Sequence, residues 1–306
     1  MNSEKKYFSF PENETILNDL SRYMEKEGYL AMADEILRST DLVSSSDYFH
    51  DFAVELGKRG CYNVACQILE RGLEIYKRSV DLLAAYLFYG CDCEGHMEKC
   101  NKYYKVLKAI PTGNWTWRCY SFSLKYLGIK LEIIDDQIEI ETTEKEQNDL
   151  INEYYEKFPN DERPYLSHAS LYMRTNPDKA IEILEKAYNE LKVCPRCSIR
   201  YADLLIDMAK TYEDYQKIYD ILIHAILPRR DTEDNYGYIH YLRGICLYHL
   251  IDKNNGDFQD KAKIDEIYQC FRIARNEDMG LSSSYLKTLS KYIHILEEYS
   301  KIRYDD

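Results

Sequence analysis

The sequence has no long run of apolar residues. Its most apolar stretch, from Leu82 to Tyr89, ends at Gly90, whereas a membrane-spanning helix needs roughly 20 consecutive apolar residues. The N-terminal segment MNSEKKYFSFPENE also lacks the apolar core of a secretory signal. We therefore expect a cytoplasmic protein that has no membrane partner.

Positive charge is also scarce. The 306 residues include 40 lysines and arginines against 53 aspartates and glutamates, which gives a formal net charge of −13. Such a charge opposes contact with phosphate backbones and with anionic lipid surfaces. The composition therefore argues against nucleic acid as a partner and favours another protein or peptide.

The sequence lacks the common motifs of nucleotide binding and hydrolysis. It contains no G-x-G-x-x-G, G-x-x-x-x-G-K-[ST], H-E-x-x-H or G-x-S-x-G pattern. Its seven histidines are dispersed, without a serine or cysteine at a recognisable spacing. We expect no enzymatic activity, no catalytic residue and no cofactor.

Ten cysteines are present, and without an export signal we expect them to be reduced thiols. The C-x-x-C segment Cys194–Cys197 lacks the second pair that a structural zinc site requires. A second group crowds one predicted turn: Cys91, Cys93, His96 and Cys100. A metal site is conceivable there, but the position of Cys100 also suits close helix packing. We predict that neither group binds metal.

A recurring spacing is the most informative feature of the sequence. A glycine is followed five residues later by a small residue, and four residues after that by a large one. The three occurrences are Gly28-Ala33-Leu37, Gly60-Ala65-Leu69 and Gly95-Cys100-Tyr104. A glycine permits a tight turn between helices, and a small residue lets two helices approach closely. The spacing predicts pairs of helices, each with a turn at the glycine.

The segment YFHDFAVELGKRGCYNVACQILERGLEIY, Tyr48–Tyr76, resembles a tetratricopeptide repeat. Phe49 stands where the family has Trp, Ala53 where it has Gly or Ala, and Leu56 where it has Tyr. The family's Ala, Phe and Ala of the second helix are matched by Ala65, Leu69 and Gly72. The resemblance implies an all-α fold, an α-solenoid of about seven antiparallel helix pairs in a right-handed superhelix with a C-terminal capping helix.

The spacing of the repeat pattern predicts three parts of the chain. Residues 1–111 form N-terminal repeats, residues 112–162 form an irregular helical pair with an acidic insertion, and residues 163–306 form C-terminal repeats and the capping helix. Within the insertion, the second half of Glu132–Glu141 alternates apolar and acidic residues, which is typical of an extended or an acidic connecting segment. Whether residues 132–146 divide the repeats into two lobes is left open.

The resemblance also implies a function. Tetratricopeptide proteins hold a peptide or a partner helix in a groove lined by the first helix of each pair. The positions that match the family's groove are Asp47, His50, Val54, Lys58, Tyr89, Asp92, Arg163, Leu166, Ser170 and Arg174. We expect a non-enzymatic scaffold or adaptor, and a homodimer through the terminal repeats is a further expectation. The alternatives are a peptide-responsive regulator and a helical-repeat subunit of an enzyme complex.

Overall fold

The computed structural model describes residues 14–38, 45–226, 236–251, 261–276 and 287–294. Within these ranges every regular element is a helix, so the prediction of an all-α fold is confirmed. None of the described helices combines the length and the apolar character that a membrane span requires. The chain divides into two compact units, unit 1 ending at Lys157 and unit 2 beginning at Phe158. The three-part division stays a prediction.

Unit 1 consists of helices that pack in chain order. They are α1 (Glu14–Arg38), α2 (Ser46–Lys58), α3 (Tyr62–Ile75), α4 (Val80–Gly90), α5 (Met97–Lys108), α6 (Trp117–Ile133) and α7 (Gln137–Lys157), with a short 3-10 helix at Thr112–Asn114. The pairs are α2 with α3, α4 with α5, and α6 with α7, and the first helices α2, α4 and α6 also contact one another in order. Phe49, near the start of α2, contacts Gly72 near the end of α3, so this pair is antiparallel.

The turn between α2 and α3 shows why a glycine stands at position 60. Gly60 has a φ of 71°, a left-handed conformation that costs glycine little. Its N–H donates to the carbonyl oxygen of Gly57 at 2.9 Å, and the N–H of Cys61 donates to that of Leu56 at 3.0 Å. These two bonds satisfy the last carbonyls of α2 in a Schellman arrangement. Gly95, with a φ of 77°, stands in the turn before α5, so two of the three predicted glycine turns are confirmed.

Small residues allow the helices of unit 1 to approach closely, as the spacing predicts. Ala65 and Cys100 are fully buried. A Cβ added to Gly90 in α4 would lie 2.8 Å from the Sγ of Cys100, and one added to Gly72 would lie 2.9 Å from Phe49. Side chains at these positions would therefore force the paired helices apart.

Two local predictions are wrong. Gly28 does not form a turn, because it lies inside the continuous helix α1. That helix packs against α3. Residues 137–141 are neither extended nor a connection, because they are the first turns of α7. That helix is anchored further along by a buried stripe at helical spacing: Thr143, Gln147, Leu150, Ile151 and Tyr154.

Unit 2 repeats the same plan. Its helices are α8 (Arg163–Ser170), α9 (Pro177–Glu190), α10 (Pro195–Ile206), α11 (Tyr212–Ile226), α12 (Tyr236–Leu250) and α13 (Lys261–Asn276). They pair as α8 with α9, α10 with α11, and α12 with α13. A Cβ on Gly244 would lie 2.6 Å from the ring of Phe271, so α12 and α13 pack closely at Gly244.

The predicted capping helix is described over residues 287–294, which are helical. Leu289 and Ile293 are buried there. The ring of Tyr292 lies 4.8 Å from that of Tyr248 in α12 and 5.3 Å from that of Phe271 in α13, centroid to centroid. This segment therefore covers apolar surface of the last pair. The sequence predicts the cap over about residues 283–299, and residues 283–286 and 295–299 of that range lie outside the described residues.

Candidate partner-binding surface

Helix α4 reaches solvent at few places. It is surrounded by α2, α3, α5 and α6, and within Val80–Gly90 all residues except Val80, Asp81 and Phe88 are buried. Phe88 is therefore the residue of α4 that is partly exposed to solvent between the neighbouring first helices of unit 1. We call the surface that α2, α4 and α6 share the first-helix face.

Three half-buried aromatic residues cluster on this face. The rings of Phe88 in α4 and Phe122 in α6 lie 4.6 Å apart, and Trp117 meets Phe122 edge-on at 6.1 Å. All three are partly exposed. We call Phe88, Trp117 and Phe122 the aromatic patch. Large, rigid, partly exposed rings of this kind provide apolar contact area at a low entropic cost.

Cationic side chains frame the aromatic patch. The Lys125 ammonium lies 4.2 Å from the centroid of Phe88, and it donates to the carbonyl oxygen of Phe88 at 2.8 Å and to Oδ2 of Asp92 at 2.6 Å. The Arg118 guanidinium lies 5.0 Å from the ring of Trp117. Asp92, a predicted groove residue, therefore serves as an anchor for Lys125 beside the patch.

The four predicted groove residues of α2 retain contact with solvent. Asp47 and Lys58 are exposed, and Val54 is half-buried. The Lys58 ammonium donates to Glu55 at 2.8 Å, and with Arg59 it lowers the pKa of that carboxyl. The side chain of His50 is only 12% exposed, and its Nδ1 lies 2.9 Å from the carboxylate of Asp51. This helix offers a mainly polar surface.

Tyr89 differs from the other predicted groove residues of unit 1 because it is buried, with 7% of its surface exposed. Its ring lies against the backbone of Gly57 in α2 and 5.7 Å from the ring of Tyr62. Burial raises the pKa of its hydroxyl to about 12. Its neighbour Phe88 reaches solvent instead. The near-continuous apolar sequence LLAAYLFYG gives no periodicity that would distinguish the two positions.

The remaining predicted residues lie in unit 2, on or just after α8. Nε of Arg163 donates to both oxygens of Asp161 at 2.8 Å. Burial acts to raise the pKa of Asp161, but the bonds and charge of Arg163 bring it below its ordinary value. Ser170 donates to the carbonyl oxygen of Leu166 at 2.7 Å, and Arg174 is exposed. Apart from Leu166, these predicted groove residues are polar or charged.

Thiols in and next to the turn between α4 and α5 interact with one another in pairs. A hydrogen bond with Cys100, together with burial, raises the pKa of Cys91. Burial raises the pKa of Cys66, which is hydrogen-bonded to Cys93. Nδ1 of His96 lies 2.8 Å from the hydroxyl of Tyr86. These contacts suit reduced thiols in a packed turn.

The C-x-x-C pair lies at the start of α10. Sγ of Cys194 is 3.6 Å from Oγ of Ser198, and Sγ of Cys197 is 3.4 Å from the carbonyl oxygen of Glu162. Burial raises the pKa of both thiols. The Glu162 carboxylate also accepts from the N–H groups of Arg196 and Cys197, at 2.8 and 3.0 Å, which caps α10. In the part of the chain that the structure describes, no group of three or more His, Cys, Asp or Glu side chains is placed to hold a metal ion.

Comparisons with known proteins concern the fold alone. No protein-family model matches the chain, and no curated protein matches it. Among solved structures, a thermophilic TPR protein in Thermus thermophilus is 14% identical and has a TM-score of 0.48. The match covers 67% of this chain and 100% of that one. In the part of the chain that the structure describes, the helices form consecutive pairs with glycine turns and small packing residues, the arrangement that the sequence's resemblance to tetratricopeptide repeats predicts.

Proposed function

We propose that this protein is a non-enzymatic scaffold or adaptor that binds an extended segment of another protein on the first-helix face of unit 1. The observation that carries this proposal is the aromatic patch, Phe88, Trp117 and Phe122, which is half-buried at the point where α4 opens to solvent. Interface hot spots are enriched in such rings because they bury much area and lose little side-chain entropy on binding.

The surroundings of the patch favour a segment with one large apolar side chain. Such a side chain packs against Phe88 and Phe122, while the polar residues of α2 lie along the neighbouring helix of the same face. Lys125 is already paired with Asp92, so Arg118 beside Trp117 is the main remaining charge at the patch. Apolar contact is therefore expected to dominate the affinity, with a weak dependence on salt.

Peptide selection on the purified protein tests the proposal. A displayed library of random 12-residue peptides is enriched, and the dissociation constants of the selected peptides are measured on the wild type and on Phe122→Ala. We expect at least tenfold weaker binding to Phe122→Ala. The matched control is Tyr103→Ala, which removes a half-buried ring from the second helix α5 and is expected to change the affinity less than twofold. Equal loss in both variants, or no enrichment over a scrambled library, would contradict the proposal.

Cytoplasmic location and a homodimer through the terminal repeats are further parts of the proposal. Neither follows from the first-helix face, and each has a direct test. Light scattering after gel filtration distinguishes the mass of one 36.3 kDa chain from twice that mass. Microscopy of the fluorescently tagged protein in its own cells tests the location.

A further inference from the structure

A cleft of about 400 Å³ opens between the second helices α5 and α7 of unit 1. Tyr104 from α5 and Trp115, which precedes α6, line its interior. The cleft is built on second helices, whereas the aromatic patch lies on α4 and α6. It is therefore a separate surface, and a ligand bound there goes beyond the proposed function and does not depend on it.

One stripe of α7 supplies negative charge to the cleft. Glu146, Asp149 and Glu153 all line it, and their spacing of three and four residues places them on the same side of a helix. Lys108 and Lys145 also line the cleft, so its acidic side chains outnumber its basic ones by one. The helix as a whole carries seven acidic residues against two lysines. Anionic ligands are therefore repelled from this side of unit 1, and cationic ones are attracted.

Two lysines of the chain already show which chemistry suits this region. The Lys108 ammonium pairs with Glu146 and lies 5.8 Å from the ring centroid of Tyr104. The Lys157 ammonium lies 5.5 Å from the ring of Tyr120 and donates to the carbonyl oxygen of Trp115 at 2.9 Å. A cation between an aromatic face and an oxygen acceptor is stabilised by both.

Glu146 is paired with Lys108, so two carboxylates of the stripe remain for a ligand, those of Asp149 and Glu153. Glu153 accepts from the hydroxyl of Tyr120 at 3.0 Å through one oxygen. Asp149 is exposed and forms no hydrogen bond or ion pair among the described residues. These two residues are one helical turn apart, so their carboxylates border the same part of the cleft beside the indole of Trp115.

We propose that this cleft binds the guanidinium group of an arginine side chain from a partner protein. A planar guanidinium donates two parallel hydrogen bonds to a carboxylate and stacks on aromatic rings, which a spherical ammonium does less well. Asp149 and Glu153 accept those bonds, and Trp115 and Tyr104 form the aromatic wall. The occupant is an arginine-containing segment, distinct from the apolar segment proposed for the first-helix face.

Fluorescence on the full-length protein tests this assignment. The chain has two tryptophans, so Trp117→Phe leaves Trp115 as the reporter of the cleft. The probe is a fluorescein-labelled peptide of four Arg-Gly repeats for anisotropy, and its unlabelled form for tryptophan emission. The matched probe replaces each arginine by citrulline, which has nearly the same shape without the charge. We expect the arginine peptide to bind and to change Trp115 emission, and the citrulline peptide to do neither.

Two double variants distinguish binding in the cleft from a general electrostatic attraction to the acidic helix α7. Asp149→Asn with Glu153→Gln removes two charges from the cleft, and we expect at least tenfold weaker binding. Glu141→Gln with Glu144→Gln removes two charges from the same helix outside the cleft, and we expect less than a twofold change. Phe122→Ala is expected to leave this binding unchanged, whatever its effect on the first-helix face.

A variant that fills the cleft provides a second test if circular dichroism shows that Asp149→Asn with Glu153→Gln does not fold. Thr142→Trp fills space at the edge of the cleft without changing the charge, and we expect it to abolish binding of the arginine peptide. The assignment is overturned if the two double variants weaken binding equally, if the citrulline peptide binds as well, or if Trp115 emission does not respond. Absence of binding to the wild type at low ionic strength overturns it too.

Discussion

Gly57 in α2 lies directly against the ring of Tyr89 in α4. A Cβ added to Gly57 would lie 2.3 Å from Cε1 of Tyr89 and 2.6 Å from its hydroxyl oxygen, well inside van der Waals contact. The two first helices can therefore approach at this point only because residue 57 has no side chain. The same contact holds Tyr89 in the interface between α2 and α4 and leaves Phe88 to form the aromatic patch.

Gly57→Ala should destabilise the protein. The added methyl group displaces a buried tyrosine ring, and overpacking of this kind costs about 1–3 kcal/mol in the free energy of unfolding. Urea unfolding followed by circular dichroism measures the change. Gly28→Ala is the control, since Gly28 lies inside α1 with nothing within 4 Å of an added Cβ. It should stabilise by up to about 1 kcal/mol, and destabilisation by both variants would refute the contact.

Two buried tyrosines donate from a first helix to a glutamate on the preceding second helix. The hydroxyl of Tyr86 donates to Oε1 of Glu70 at 2.7 Å, and that of Tyr201 donates to Oε1 of Glu185. Tyr86→Phe and Tyr201→Phe should each lower the free energy of unfolding by about 1.5–3 kcal/mol, since each removes a hydrogen bond to a charged group. Thermal unfolding measures this. Tyr212→Phe, at an exposed tyrosine, should have no effect.

His168 should make unit 2 sensitive to mild acid. Burial, aided by the charges of Lys179 and Lys186, lowers its pKa from 6.5 to about 4. The unfolded chain therefore binds a proton between pH 6.5 and 4 that the folded chain does not. The stability contributed by the neutral ring is present above pH 6.5 and is lost as the pH falls towards 4. Urea midpoints measured from pH 7 to 5 should fall less steeply for His168→Gln than for the wild type, and identical slopes would contradict this.

The thiols should react slowly in the native protein. Nine of the ten cysteines are buried and Cys91 is half-buried, and burial raises the pKa of Cys246 to about 12 and that of Cys270 to about 11. The thiolate is the reactive form. At pH 8 we expect Ellman's reagent to titrate few thiols within minutes and all ten after unfolding in guanidinium. Rapid reaction of most thiols in the native state would show that the helices are more loosely packed than described.

The helix pairs were predictable because their signals are local. Gly60 and Gly95 stand where a left-handed residue ends a turn, and Ala65 and Cys100 stand where a larger side chain would clash. Gly28 has the same spacing to a small residue and still lies inside a helix. A glycine in a helix costs only about 1 kcal/mol relative to alanine. The packing of α1 against α3 therefore determines that the helix continues through Gly28, and the local sequence pattern does not show this packing.

The candidate site was harder to predict than the fold. Tyr89 and Phe88 are adjacent in a helix that is apolar on almost every side. Their roles therefore depend on the absence of a side chain at Gly57, which lies 32 residues before Tyr89. Residues 137–141 alternate like a strand, yet they extend a helix whose buried stripe begins at Thr143. In both cases contacts between distant parts of the chain override the local pattern.

Crosslinking at position 88 tests the central claim most directly. Phe88 is replaced by p-benzoylphenylalanine, the purified protein is irradiated with a selected peptide, and the adduct is located by mass spectrometry. The same amino acid at position 103, on the second helix α5, is the control. We predict a peptide adduct from position 88 and none from position 103. A peptide that binds the protein but forms its adduct only from position 103, or equally from both, would contradict binding on the first-helix face.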